Sequence, residues 1–344
     1  MKTIYSPKHV LHSGNHELVA GEIVPAFEMP SRADFILDRL KAVALGPIID
    51  TPAEHDIAIA KRVHAPDFID FMPTIWPRWV ELGHTGAAIP FTWPTRGLRG
   101  DVPPKHLHGL LGYYSFDGGA TFVEGTWEAI KSSFDVAISA AELIKAGETS
   151  AYALCRPPGH HAGSNFMGGY CFINNIAVAA QWFLDQGAKR VSILDVDYHH
   201  GNGTQQIFYS RSDVQVVNLH ADPLLEYPYF LGHKDETGEG AGEGFNINYP
   251  MPFGTTYAEW GANLDDACAK IDAYGPDVVL VSLGVDTFEK DPISKFKLKR
   301  EDYPKIGARI AKLNRPTLFV QEGGYAVEDI GFNAVGVLTG FAGR

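Results

Sequence analysis

The chain has 344 residues, 45% of them hydrophobic, enough to build a substantial core in one large α/β unit. Its formal net charge of −12 argues against a nucleic-acid partner, which needs basic patches, and is compatible with a cationic substrate. No run of about 18 apolar residues appears, and Met1-Lys2-Thr3-Ile4-Tyr5 leads into polar sequence, so the expectation is a cytoplasmic protein with no membrane span.

In chain order, the first marked feature is an irregular stretch from Pro73 to Glu124. It holds Trp76, Trp93, Tyr113, Tyr114, many glycines and prolines, and the basic residues Arg96, Arg99 and Lys105. An insertion loop of this length in a compact domain is usually functional or disordered, and its aromatic content argues against disorder. Thr126 to Ala146 then reads as a helix. Ala151 to Cys155 reads as a strand leading into Arg156-Pro157-Pro158-Gly159-His160-His161-Ala162-Gly163. A helix over Asn175 to Gln186 precedes the strand Val191 to Leu194, which delivers Asp195-Val196-Asp197-Tyr198-His199-His200-Gly201-Asn202. The apolar run Asp277 to Gly284 delivers Val285-Asp286. A helix over Ile306 to Leu313 comes before the strand Thr317 to Val320 and its exit Gln321-Glu322-Gly323-Gly324-Tyr325. This alternation predicts an α/β fold: a single open, mostly parallel sheet with helices on both faces, and functional groups at the carboxyl ends of its strands. Cys155, Cys171 and Cys268 lack C-x-x-C spacing and are expected to be small buried thiols.

In an extended chain, alternate residues share a face, so Asp195, Asp197 and His199 can project together. With Asp286 from the next apolar run, they supply carboxylates and imidazole suited to a divalent metal, and buried charges are otherwise paired. The His160-His161 pair, set by a Pro-Pro-Gly turn, suits proton transfer near neutral pH. The paired glycines before Tyr325 permit a sharp turn that frees its hydroxyl.

Taken together, these segments resemble the histone-deacetylase superfamily, within the arginase/deacetylase fold. The resemblance is carried by Arg156 to His161, Gly168 to Asn175, Asp195 to Asn202, Gly284 to Asp286 with Asp291-Pro292, and Gly323 to Tyr325. The flanking Glu17 to Pro25 and Gly125 to Ala129 look most like bacterial acetylpolyamine amidohydrolases. The resemblance implies one metal-dependent deacetylase domain over residues 1–344, with Zn2+ (Fe2+ or Co2+ on the same set) held by Asp197, His199 and Asp286. It implies catalytic roles for His160, His161 and Tyr325: His161 moves the water and amine protons, His160 assists electrostatically, and Tyr325 faces the oxyanion. Asp195 is expected to orient His160 and Asn202 to face His161. A neutral amide there would orient the ring without stabilising its cation, leaving His161 the easier to deprotonate. The turn near Asp195 resembles a K+ site, with Asn218 where many relatives carry Ser.

By the same resemblance, Gly169, Tyr170 and Tyr227 flank the substrate chain, and Glu17 with Asp117 faces a distal ammonium. Gly119 departs from a neighbouring acidic position of the subfamily. Arg32 resembles an arginine of an acetate-release channel. The 73–124 insertion is expected to pack across a homodimer and narrow the entrance. The implied substrates are small cationic acetylated amines. A lysine deacetylase acting on protein tails and a non-catalytic binder of acetylated amines stand as alternatives. A two-manganese ureohydrolase fits poorly, because that pattern wants a carboxylate where Gly284 stands.

Overall fold

Short strands rich in small and β-branched residues, most of them followed by a helix, build the framework. The computed structural model describes residues 1–14, 16–19 and 21–343. Its first half contains β1 (Lys2–Ile4), β2 (His16–Val19), β3 (Glu22–Pro25), α1 (Ser31–Val43), β4 (Ile48–Ile49), α2 (Pro66–Glu81), α3 (Leu107–Tyr113), α4 (Thr126–Lys145) and β5 (Ser150–Ala153). The second half contains α5 (Asn175–Asp185), β6 (Val191–Asp195), α6 (Asn202–Phe208), β7 (Val214–Ala221) and β8 (Asn246–Met251). These are followed by α7 (Tyr257–Tyr274), β9 (Val278–Leu283), α8 (Tyr303–Ala311), β10 (Thr317–Gln321) and α9 (Val327–Phe341).

Eight strands form one sheet in the order β4-β1-β5-β10-β9-β6-β7-β8, with every neighbouring pair parallel. Alternation within the strands feeds two cores. Val278 and Leu280 of β9, with Ala151 and Ala153 of β5, pack towards α4 and α5. Val279, Val281 and Leu283, with Tyr152, pack towards α1, α7, α8 and α9. Both faces are covered, as a parallel sheet requires. The expected strands at 151, 191, 277 and 317 and the helices at 126 and 175 appear within about two residues of their expected bounds. The helix expected over Ile306 to Leu313 begins three residues earlier and ends two sooner. Cys155, Cys171 and Cys268 are buried free thiols. No helix among the described residues is long and apolar enough to cross a membrane.

The insertion needs a correction. Pro73 to Glu81 is not loop but the second half of α2, with Pro73 and Pro77 inside the helix. An interior proline costs about 3 kcal/mol. Here Phe68, Met72 and Ile75, all fully buried, hold the helix together from its inner face. A second helix, α3, interrupts the stretch, so the irregular parts are residues 82–106 and 114–125. The β2–β3 antiparallel hairpin, which carries Glu17, stands apart from the main sheet.

Candidate metal centre and active site

The four adjacent strands β5, β10, β9 and β6 open at their carboxyl ends onto one cluster of side chains. Asp197, His199 and Asp286 bring ligand atoms within 4.8 Å of one another, all buried. His199 Nδ1 lies 2.9 Å from Asp286 Oδ2 and 3.5 Å from Asp197 Oδ1. Backbone donors hold the carboxylates: Gly323 N donates to Asp197 Oδ2 at 2.8 Å and Tyr198 N to Asp286 Oδ1 at 2.9 Å. Glycine is needed beside them. A Cβ at Gly323 would stand 2.6 Å from Asp197 Oδ2, and one at Gly284 only 1.9 Å from it. A carboxylate at position 284 therefore has no room, which removes the binuclear ureohydrolase arrangement.

Two buried carboxylates and one imidazole form an O2N set of the kind that accepts borderline dications and leaves positions open. Their electrostatics express the same need. Burial pushes the Asp286 carboxyl up to about 7, with the nearby Asp197 adding to it. Burial opposes a charge on His199 as well, but bonds to Asp197 and Asp286 outweigh it and raise the ring to about 10. The site thus collects a proton where a metal would supply the compensating charge.

Asp195 is not part of this set, contrary to the shared-face reading of the strand. Regular strand geometry ends at Asp195, where its Oδ1 accepts from Asp197 N and the chain turns. Its Oδ2 instead lies 3.0 Å from His160 Nδ1. His161 Nδ1 lies 2.6 Å from Asn202 Oδ1, and the two rings sit 4.0 Å apart. Burial disfavours the His160 cation, but Asp197, Asp195 and Glu322 together overcome that and raise it to about 10. His161 is held well below the ordinary imidazole value by burial, then by His160 and His199. The Asn202 oxygen by itself favours the cation, so the neutrality of His161 rests on burial and its neighbours rather than on the amide.

Tyr325 follows Gly324, whose φ of +129° is open chiefly to glycine. Asp291 Oδ2 accepts from Tyr325 N at 2.7 Å and fixes the backbone, while the described residues give the Tyr325 hydroxyl no hydrogen-bond partner. Glu322 lies behind His160: its Oε2 accepts from Gly159 N and His160 N, its Oε1 is buried without a partner, and burial raises it to about 7. Sequence reasoning gave Glu322 and Asp291 no role, since only the fold brings them to the histidines and Tyr325.

A cavity of about 420 Å³ ends on His161, His199 and Tyr325. Its walls include Gly169, Tyr170 and Tyr227, and the Tyr227 ring meets His161 edge-on at 5.2 Å. Glu17 and Asp117 line it too, both already engaged. Glu17 accepts from Phe27 N at 2.9 Å and from the Tyr170 hydroxyl at 2.7 Å. Asp117 accepts from the Tyr227 hydroxyl at 2.7 Å and from Gly119 N at 2.8 Å. A third carboxylate, Glu226, was missed in the sequence. It accepts from the Tyr198 hydroxyl at 2.8 Å, and its place just before Tyr227-Pro228 was the one available signal. The insertion contributes Ile89, Pro90 and Trp93. A larger groove of about 720 Å³ along β8 holds none of the predicted catalytic residues.

Arg32 lies beneath Tyr325, with its guanidinium carbon 4.8 Å from the ring centre. It donates to the carbonyls of Gly324 and Glu322 and pairs with buried Glu28, which also meets Arg156 at 2.8 Å. Asn218 sits beside Asp195 in the β6–β7 register, and its Oδ1 accepts from Gly201 N at 3.3 Å.

Comparison with known proteins gives a consistent picture. The histone deacetylase domain model matches residues 26–340. An acetylpolyamine amidohydrolase 1 from Pseudomonas aeruginosa is 56% identical, covering 100% of this chain and 99% of its own. One from Mycoplana ramosa is 49% identical, with 100% of both chains covered. A crystal structure of an acetylpolyamine aminohydrolase from Burkholderia pseudomallei superposes with a TM-score of 0.94 at 34% identity, covering 99% of this chain and 98% of that one.

Proposed function

This chain belongs to the histone deacetylase family, and from that premise we propose that it hydrolyses the acetyl amide of small N-acetylated polyamines or diamines, releasing acetate and the free amine. The carrying observation is the pocket itself. His161, Tyr325 and His199, the last a member of the Asp197–His199–Asp286 set, line it together with Glu17, Asp117 and Glu226, and among the described residues the Tyr325 hydroxyl has no hydrogen-bond partner. The relatives of full-length similarity are named for acetylpolyamines, which supports this substrate class.

Asp197, His199 and Asp286 would hold Zn2+, with Fe2+ or Co2+ acceptable to the same atoms. When bound, the ion supplies a polarised acetyl carbonyl and an acidified water. The remaining work falls to the chain. Asn202 Oδ1 accepts from His161 Nδ1–H and so leaves Nε2 as the basic atom, which takes the proton of the attacking water. The same Nε2 then protonates the departing amine. His160, sharing a proton with Asp195, contributes positive charge beside the reacting centre. The Tyr325 hydroxyl donates to the oxygen that becomes negative. Tyr170 and Tyr227 enclose the alkyl chain, and the three carboxylates favour a distal ammonium. Arg32 lines the inner route for acetate, and K+ near Asp195 and Asn218 belongs to the same reading.

The insertion and hairpin support a homodimer. Leu18, Ile23, Phe91 and Leu98 are 63–77% exposed. Apolar side chains in such numbers on these two segments suit a protein interface, and a second copy there would narrow the entrance.

The test is acetate release from acetylputrescine, acetylspermidine and an acetyl-lysine peptide, with metal analysis of wild type and Asp286→Ala. Fast diamine turnover, slow peptide turnover and loss of both metal and activity in the variant are expected. Faster peptide turnover would favour the protein-deacetylase reading. Stoichiometric binding of acetylputrescine without acetate release would make the chain a binder.

A further inference from the structure

We propose that His84 and His108 form a second metal site, separate from the catalytic centre: a two-imidazole clamp for a borderline dication such as Ni2+, Cu2+ or Zn2+. His84 follows the end of α2 and His108 lies in the first turn of α3, yet their Nε2 atoms stand 3.1 Å apart. Two ring nitrogens this close either share one proton or face one cation. Imidazoles bound at about 2.1 Å and at right angles have nitrogens about 3.0 Å apart, and a tetrahedral ion sets them about 3.4 Å apart. The observed spacing lies within that range, so an ion enters with only small ring movements.

The rings are held in place before any ion arrives. His84 stacks on Trp79 at 4.1 Å, and Trp79 Nε1 donates to Gly86 O at 2.7 Å. Phe91 meets His108 edge-on at 5.6 Å. His106 is not the third ligand, because its Nδ1 accepts from His108 N at 3.2 Å and so fixes the start of α3.

The consequence lies in the intervening chain. Residues 85–107 run between the two histidines and include Ile89, Pro90 and Trp93 of the pocket wall. An ion joining His84 to His108 closes this loop at its base and restrains that wall, since a clip across a long loop removes closure entropy.

The experiment uses the metal-loaded enzyme at pH 7.5, dialysed against micromolar Ni2+. Wild type should hold one equivalent beyond the catalytic ion, His84→Gln/His108→Gln should lose it, and His106→Ala should keep it. Retained catalytic metal and acetate release in the double variant report an intact fold. Arg96, Arg99 and Lys105 are exposed within the loop and give a second readout. Ni2+ should slow tryptic cleavage there roughly fivefold or more in wild type and not in the double variant. Equal Ni2+ stoichiometry in wild type and double variant overturns the site, and equal cleavage rates with and without Ni2+ in wild type overturn the clamp.

Discussion

Replacing Tyr325 with Phe isolates one hydroxyl. The ring environment survives the change: Asp291 still holds the backbone amide at 2.7 Å, Tyr170 lies 5.6 Å away, and Arg32 lies 4.8 Å from the ring centre. Because the described residues give the hydroxyl no protein hydrogen bond, its removal should shift stability by no more than about 0.5 kcal/mol. The metal set is untouched, since none of its atoms bonds to Tyr325. The lost donor acts only as the carbonyl oxygen becomes negative, so the cost belongs in kcat. One oxyanion donor is worth roughly 10²–10³ in rate, or about 2.7–4 kcal/mol. Steady-state acetate release, thermal unfolding and metal content measured on one preparation check all three statements. Normal turnover would make Tyr325 a packing residue. Lost turnover accompanied by lost metal or a large fall in Tm would show that the ring, not the hydroxyl, matters.

Two further outcomes follow from the buried charges. Asn202→Asp puts a carboxylate where an amide oxygen now stands 2.6 Å from His161 Nδ1, which stabilises the imidazolium. His161 sits below the ordinary imidazole value in wild type, so the acid limb of kcat/KM should lie below pH 6.5 and move up by about one unit or more in the variant; an unmoved limb removes His161 as the base. Glu28→Gln leaves the buried Arg32 and Arg156 without their shared carboxylate and should cost about 3–5 kcal/mol in urea unfolding at pH 7. Burial alone would raise Glu28, but Arg156 and Arg32 pull it down to about 2, so its contribution is complete above pH 4.5 and lost as pH falls towards 2. The gap to the variant should therefore narrow by about 1.4 kcal/mol per unit over that window, and a constant gap would refute the pairing.

The strands that carry the site were legible because each is buried on both faces and reads as a continuous apolar run, with polar groups only at its exit. Two-residue β4 and the more polar β8 give no such run, although they close the two edges of the sheet. The second half of α2 was hidden by Pro73 and Pro77, because local propensity says nothing of the core that Phe68, Met72 and Ile75 fill. Asp195 shows the limit of the period-two rule. The strand stops at that residue, so spacing alone could not separate the carboxylate bonded to His160 from the one beside His199. Resemblance made the separation, and the geometry accounts for it.

The bonds that tie the walls of the pocket together lay beyond either kind of reading. Sequence alone makes Glu17 and Asp117 two free acids, whereas each is tied to a wall tyrosine, Glu17 to Tyr170 and Asp117 to Tyr227. Burial also raises Asp117, with the bonds from Tyr227, Gly119 and Gly169 working in the opposite direction. Their first effect is therefore to set the spacing of two aromatic faces. A distal ammonium meets oxygens already fixed in position, with little ordering left to lose on binding. Under the proposed function, charge recognition and tunnel width are then one property of the same bonds. Removing either carboxylate would loosen a wall along with removing a charge, and the loss would reach uncharged substrates as well as cationic ones.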